Sequence, residues 1–152
     1  MAASIRRVVT GHDGNGKARV DSDQVLDMAE MRPGTNNRVL WTTEGFPVDN
    51  SGHDDTSGRA SGLTLANGTV FRVVEFGPGN AQRVHRTDSI DYAVVMSGEI
   101  DMELEDSVVH LKEGDVLVQR GTVHNWVNNG SQPCRIAFIL IDAKPVGGGA
   151  TG

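Results

Sequence analysis

Four side chains in two short stretches could do chemistry together: His85, Thr87 and Asp91 between Gly79 and Gly98, and His124 between Gly114 and Asn128. Two imidazoles and a carboxylate are the minimum for a mononuclear metal site with open positions. The same three groups also suit proton transfer near neutral pH, with the carboxylate orienting an imidazole. Convergence depends on the backbone. Residues two apart on a strand share a face, so His85 and Thr87 point the same way, and Asp91 returns beside them from the following strand.

The elements that must hold these residues are strands. From Gly62 on, short apolar or alternating runs are separated by Asn67-Gly68, Pro78-Gly79, Ser97-Gly98, Asp106-Ser107, Glu113-Gly114 and Asn129-Gly130. Turns at such regular spacing indicate a sandwich or barrel. Nineteen glycines in 152 residues favour the same all-β class over a helical one. Ile100-Asp101-Met102-Glu103-Leu104-Glu105 alternates, which buries one face and leaves the acids in water. Phe71–Phe76, Val116–Gln119 and Ile136–Ile141 are more uniformly apolar, the pattern of strands covered on both sides. That second cover is either the N-terminal segment or another subunit.

Ahead of these runs, Ile5–Val9 and Ala18–Val20 flank Asp13-Gly14-Asn15-Gly16 and read as a hairpin at the barrel edge. Residues 21–33, with Val25, Leu26, Met28 and Met31, read as a short helix or an irregular segment ending at Pro33. Arg38–Thr43 reads as a strand, and residues 44–61 as a long polar loop able to close over a pocket. The organisation is one domain: 1–61 an extension and loop packed on the barrel, 62–145 the barrel, 146–152 a flexible tail.

Composition removes several classes. A net charge of −6 with scattered Arg and Lys argues against a nucleic-acid partner. No apolar run reaches the length of a membrane span, and MAASIRRVV lacks a signal peptide's apolar core, so a cytoplasmic protein is expected. The single cysteine, Cys134, lies in an apolar strand pattern and reads as a buried, inert thiol. There is no phosphate-cradling Gly loop, Ser-His-Asp order or CxxC pair.

The two stretches resemble the paired motifs of the cupin superfamily. Gly79, His85, Thr87, Asp91 and Gly98 keep the first motif's spacing, with Thr87 where a second histidine usually stands and Asp91 where a glutamate does. Gly114, Gly121, His124 and Asn128 match the second motif, one residue short early and with Gln119 in the usual proline position. The resemblance covers Gly62 to Asp142 and implies a cupin-type jelly-roll β-barrel, here with an N-terminal hairpin extension. It also implies His85, Asp91 and His124 as ligands of a divalent iron, manganese, nickel or zinc ion. The other reading of these residues is a metal-free pocket in which they form a hydrogen-bonded cluster around an organic ligand.

Further site candidates follow from position. Trp126 shares the face of His124 and either floors the pocket or plugs the barrel. Tyr92 either contacts substrate or packs on the opposite strand face. Arg120 could pair with a substrate carboxylate, and Met102, with Val95, lends the pocket apolar character suited to an aromatic or polyketide-like acid. Asp88 is a second carboxylate that could stand in for Asp91. His12 and His110 lack partner spacing and read as surface residues, and His53, in the long loop, reads as a solvated histidine or as a metal ligand. The function expected is a small cupin enzyme acting on a small organic acid or carbonyl compound, of decarboxylase, lyase, isomerase or oxygenase type. The alternative is a non-catalytic small-ligand-binding cupin module. Barrel edges need covering, which makes a homodimer the expected assembly.

Overall fold

In the computed structural model, which describes residues 3–59 and 62–147, the chain is built from eleven strands and one 3-10 turn at Ser57–Arg59. β1 (Ser4–His12) and β2 (Ala18–Asp27) form a hairpin. β3 (Ala29–Arg32), β4 (Thr35–Glu44), β5 (Gly68–Phe76), β6 (Ser89–Ser97), β9 (Val116–Arg120) and β11 (Cys134–Asp142) form a six-stranded antiparallel sheet in the order β3-β4-β5-β11-β6-β9. β7 (Glu99–Glu103), β8 (Val108–Lys112) and β10 (Asn125–Val127) make the facing sheet, in the order β10-β7-β8. Among the described residues no helix is long and apolar enough to cross a membrane.

The core lies between the two larger sheets. Val70, Val74, Phe76, Ala93, Val95, Ile136, Phe138 and Leu140 from one meet Ile100, Met102, Leu111 and Trp126 from the other. Period-2 alternation sets this up: in β7, Ile100 and Met102 are 2% exposed while their neighbours Asp101 and Glu103 reach the surface. Each fully buried aliphatic side chain contributes about 1.5–3 kcal/mol by leaving water. Gly98 closes the tight turn between β6 and β7 at φ +76°, with Pro133 O so close that any Cβ there would collide.

The second cover on β5 is the N-terminal segment. Val73 is buried against Met28 and Leu40, with Ile5, Leu26 and Ala137 around them. The hairpin therefore lies over the face of the large sheet and not at its edge. Residues 21–33 are not helical. Leu26 pairs with Ile5 across the hairpin and turns inward, while Val25 beside it is 69% exposed, so alternation prevails over helical spacing. β3 and β4 belong to the six-stranded sheet itself, so the segment read as an extension supplies two of its strands. β9 differs from expectation too: Val116 and Val118 face outward and are 71% and 57% exposed. From 45 to 59 the chain is loop apart from the 3-10 turn; Ala60, Ser61 and the tail from residue 148 lie outside the described residues.

Candidate functional site

One cavity opens between the sheets, and His85, Thr87, Asp91, His124 and Trp126 all line it. The two histidines are brought together by the backbone: His85 N–H donates to His124 O at 3.1 Å and His124 N–H to His85 O at 3.0 Å, an isolated antiparallel bridge outside the named strands. Their ring centroids are 4.6 Å apart. Asp91 enters from β6, next to β9, where it is directly opposite Gln119.

The hydrogen bonds fix the protonation pattern of the site. His124 Nδ1 donates to Thr122 O at 2.8 Å, so the neutral ring keeps its proton there and presents a lone pair at Nε2. Gln119 Nε2 lies 3.3 Å from that lone pair and 3.2 Å from Asp91 Oδ2, donating to both. Ser89 Oγ donates to Asp91 Oδ1 at 2.6 Å, and Thr87 Oγ1 lies 2.8 Å from Ser89 Oγ. Thr87 thus continues a hydroxyl chain that ends on the carboxylate. His85 Nδ1 donates to Arg83 O at 3.2 Å, which leaves His85 Nε2 as an acceptor that no hydrogen bond among the described residues uses.

Burial sets the charge states. Desolvation pushes the His85 imidazole down to about 4, with His124, Arg83 and Arg32 adding like-charge repulsion. His124 is lowered as well, chiefly by burial. Burial raises Asp91, against hydrogen bonds from Ser89 and Gln119 and the charges of His124 and Arg72. Arg32, Arg72 and Arg83 line the same cavity, in which Asp91 is the only carboxylate among the described residues. Its remaining wall is mostly apolar, with Phe76, Phe138, Leu140 and Trp126 among its members. Trp126 stacks on Phe76 at 5.9 Å and meets His124 edge-on at 6.2 Å.

The expected metal set does not fit this arrangement. Three ligands must aim lone pairs at one point about 2 Å from each. Here an N–H donor stands between Asp91 and His124, both Asp91 oxygens accept protein hydrogen bonds, and the neighbouring charges are cationic. Among the described residues no group of three His, Cys, Asp or Glu side chains is placed to hold a metal ion.

Other candidates lie elsewhere. Tyr92 is 46% exposed on the outer face of β6. Met102 and Val95 are core residues that do not line the cavity. Arg120 and Asp88 line a separate surface hollow. His53 is paired with Asp21 and exposed His110 with Asp101, both on the surface. Cys134 is fully buried, and burial pushes its thiol up to about 11. Sequence reasoning missed the arginines and the role of Gln119. Arg72 did leave a signal, a lone charge in the apolar run Phe71–Val74, since a buried arginine needs a partner.

A cupin domain model matches residues 72–141. The chain is 34% identical to the cupin-domain-containing oxidoreductase fogC of Aspergillus ruber, over 93% of this chain and 74% of that protein. It is 35% identical to the phomopsin biosynthesis cluster protein C' of Diaporthe leptostromiformis, over 92% of this chain and 79% of the relative. Among solved structures, the cupin domain of Schizosaccharomyces pombe Cnp3 superposes with a TM-score of 0.58 at 14% identity, covering 90% of this chain and 87% of that one.

Proposed function

The chain belongs to the cupin family, and on that premise we propose that it is a small cupin enzyme that binds an organic acid in the arginine-lined cavity and moves a proton with His85. The single observation that carries this reading is the charge balance of the cavity. Among the described residues, the guanidinium groups of Arg32 and Arg72, each with an orphaned Nε, face one carboxylate, whose ionisation burial opposes, and two imidazoles held neutral. A small anion completes that balance, and the apolar remainder of the wall suits an aromatic or otherwise unsaturated acid.

His85 is the proton acceptor because, among the described residues, no hydrogen bond falls on its Nε2 lone pair, whereas that of His124 meets Gln119. Abstraction of a proton beside a carbonyl would give an enolate, whose charge the guanidinium groups stabilise. That step is shared by isomerase and lyase chemistry. An enolate is also the electron-rich form of a carbonyl compound that an oxidant attacks, which agrees with the oxidoreductase name carried by fogC. Asp91, Gln119 and His124 act as a positioning group, and Thr87 and Ser89 hold the Asp91 carboxylate in place. Both relatives' names, an oxidoreductase and a biosynthesis-cluster protein, support an enzyme over a passive binder.

The deciding experiment follows solvent deuterium exchange at the C–H beside the carbonyl, C3 of aromatic 2-oxo acids and C2 of aromatic 2-hydroxy acids, by proton NMR, with wild type and His85→Ala. Exchange by wild type that is lost in the variant, with acid binding retained, supports the enzyme. Tight binding with no exchange or turnover by wild type points instead to the non-catalytic ligand-binding module.

A further inference from the structure

Gln119 lines the cavity and is 4% exposed, yet its carbonyl oxygen Oε1 has no hydrogen-bond partner among the described residues. A buried acceptor left unmade costs about 1–3 kcal/mol. Two donors share this condition on the same wall: Nε of Arg72, a residue 5% exposed, and Nε of Arg32. We propose that Gln119 is the specificity-determining residue of the cavity, and that the substrate is an acid carrying a hydroxyl donor beside its carboxylate. The guanidinium groups would take the carboxylate and Gln119 Oε1 the hydroxyl hydrogen. This deepens the organic-acid reading above and rests on it.

The orientation of the Gln119 amide is not arbitrary. Thr122 O holds the His124 proton on Nδ1, which makes His124 Nε2 an acceptor. Asp91 Oδ2, the other group facing the amide, is a carboxylate oxygen and also an acceptor. Two acceptors demand the NH2 end, so both amide hydrogens are used there and Oε1 is turned away from them. Reversing the amide would set Oε1 against two lone-pair groups. The acceptor character of the remaining end is therefore enforced through three residues, and only a donor can satisfy it. Arg72 and Gln119 line the same cavity and each has an orphaned polar atom in it, so one small ligand carrying both a carboxylate and a hydroxyl can satisfy both. A buried polar group built to pair with a hydroxyl discriminates strongly against an analogue that lacks it.

The test compares three acids of one skeleton by isothermal titration: mandelate, phenylacetate and α-methoxyphenylacetate, with mandelamide as the uncharged control. The expected result is that mandelate binds wild type about tenfold or more tightly than either of the other acids, and that mandelamide binds weakest. Gln119→Met should bring mandelate and phenylacetate to equal affinity while both still bind better than mandelamide. Equal affinity of the three acids for wild type, with mandelamide still rejected, overturns the hydroxyl assignment but leaves the organic-acid reading standing. Equal binding of mandelate and mandelamide, or no binding by any acid, overturns that reading and the assignment with it. Should Gln119→Met fail to fold, the wild-type ranking alone decides.

Discussion

His85 and His124 are joined by two backbone hydrogen bonds and their rings stand 4.6 Å apart, yet their Nε2 atoms differ in surroundings. His124 spends its Nε2 on Gln119, whereas His85 Nε2 has no donor among the described residues. Equivalent positions in two motifs thus have unequal roles, and the assignments can be tested separately.

Removing the base and removing the positioning ring should fail differently. His85→Ala is expected to lower kcat by about 10²–10⁴ with little change in acid binding, the usual size of a general-base contribution. His124→Ala frees the Gln119 amide to turn, so its larger effect should fall on the preference for hydroxylated over unsubstituted acids. Steady-state kinetics on a matched pair of acids separates the two; identical losses for both variants would contradict the division of roles.

The pH dependence has a defined sign. His85 sits at about 4 in the folded chain, below its ordinary value of 6.5, so the unfolded chain binds the proton first as pH falls. Its stabilising contribution is whole above pH 6.5 and is lost between 6.5 and about 4; His124, also lowered, acts in the same direction. Asp91 has the opposite sign: its raised value makes its ionisation oppose folding as pH climbs above 3.8. Thermal midpoints should therefore fall from pH 7 to pH 4.5 in wild type, and fall less in His85→Gln. Turnover should be lost on the acid side as the imidazole takes up a proton. A stability profile unchanged by His85→Gln would refute the buried, neutral imidazole.

Arg7 is one of the side chains that tie down the long loop, alongside the Thr42–Thr56 hydrogen bonds and the His53–Asp21 pair. Arg7 is buried over the Trp41 ring at 5.7 Å, donates to Leu40 O at 2.9 Å and to Gln24 at 2.8 Å, and pairs with Asp55 at 2.8 Å. That pairing holds the Asp55 carboxyl well below the usual range. Arg7→Met should cost about 1–3 kcal/mol in urea unfolding, and should open residues 45–59 to limited proteolysis faster than it unfolds the barrel. Proteolysis at the wild-type rate would show that the loop is held elsewhere.

A second copy of the chain is the partner we propose for the outer face of the large sheet. Phe71, Ile139, Tyr92 and Val118 lie opposite one another across β5, β11, β6 and β9, each at least 36% exposed. Such a continuous apolar row is unusual on a surface left in water. Light scattering at micromolar concentration should give a dimer, and Tyr92→Glu combined with Val118→Lys a folded monomer. A monomeric wild type would remove the proposal.

The sequence by itself determined the all-β barrel, its turns, and the meeting of His85, Thr87, Asp91 and His124 in one cavity. Those follow from alternation and turn residues, which are local, and from motif spacing, which encodes the loop lengths that bring the two stretches together. The same local signals do not tell a helix from a strand over residues 21–33, where pairing of Leu26 with Ile5 made the choice. Nor do they show which groups stand between the motif residues. Gln119 was visible only as a departure at a proline position, and Arg72 only as a charge inside an apolar strand. Their place beside Asp91 depends on the pairing of β9 with β6 and of β5 with β11, contacts between residues distant in sequence. Of the two readings open in the sequence, a metal-ligand set or a hydrogen-bonded cluster, the tertiary structure displays the cluster, because only in three dimensions does an amide donor come to lie between a carboxylate and an imidazole.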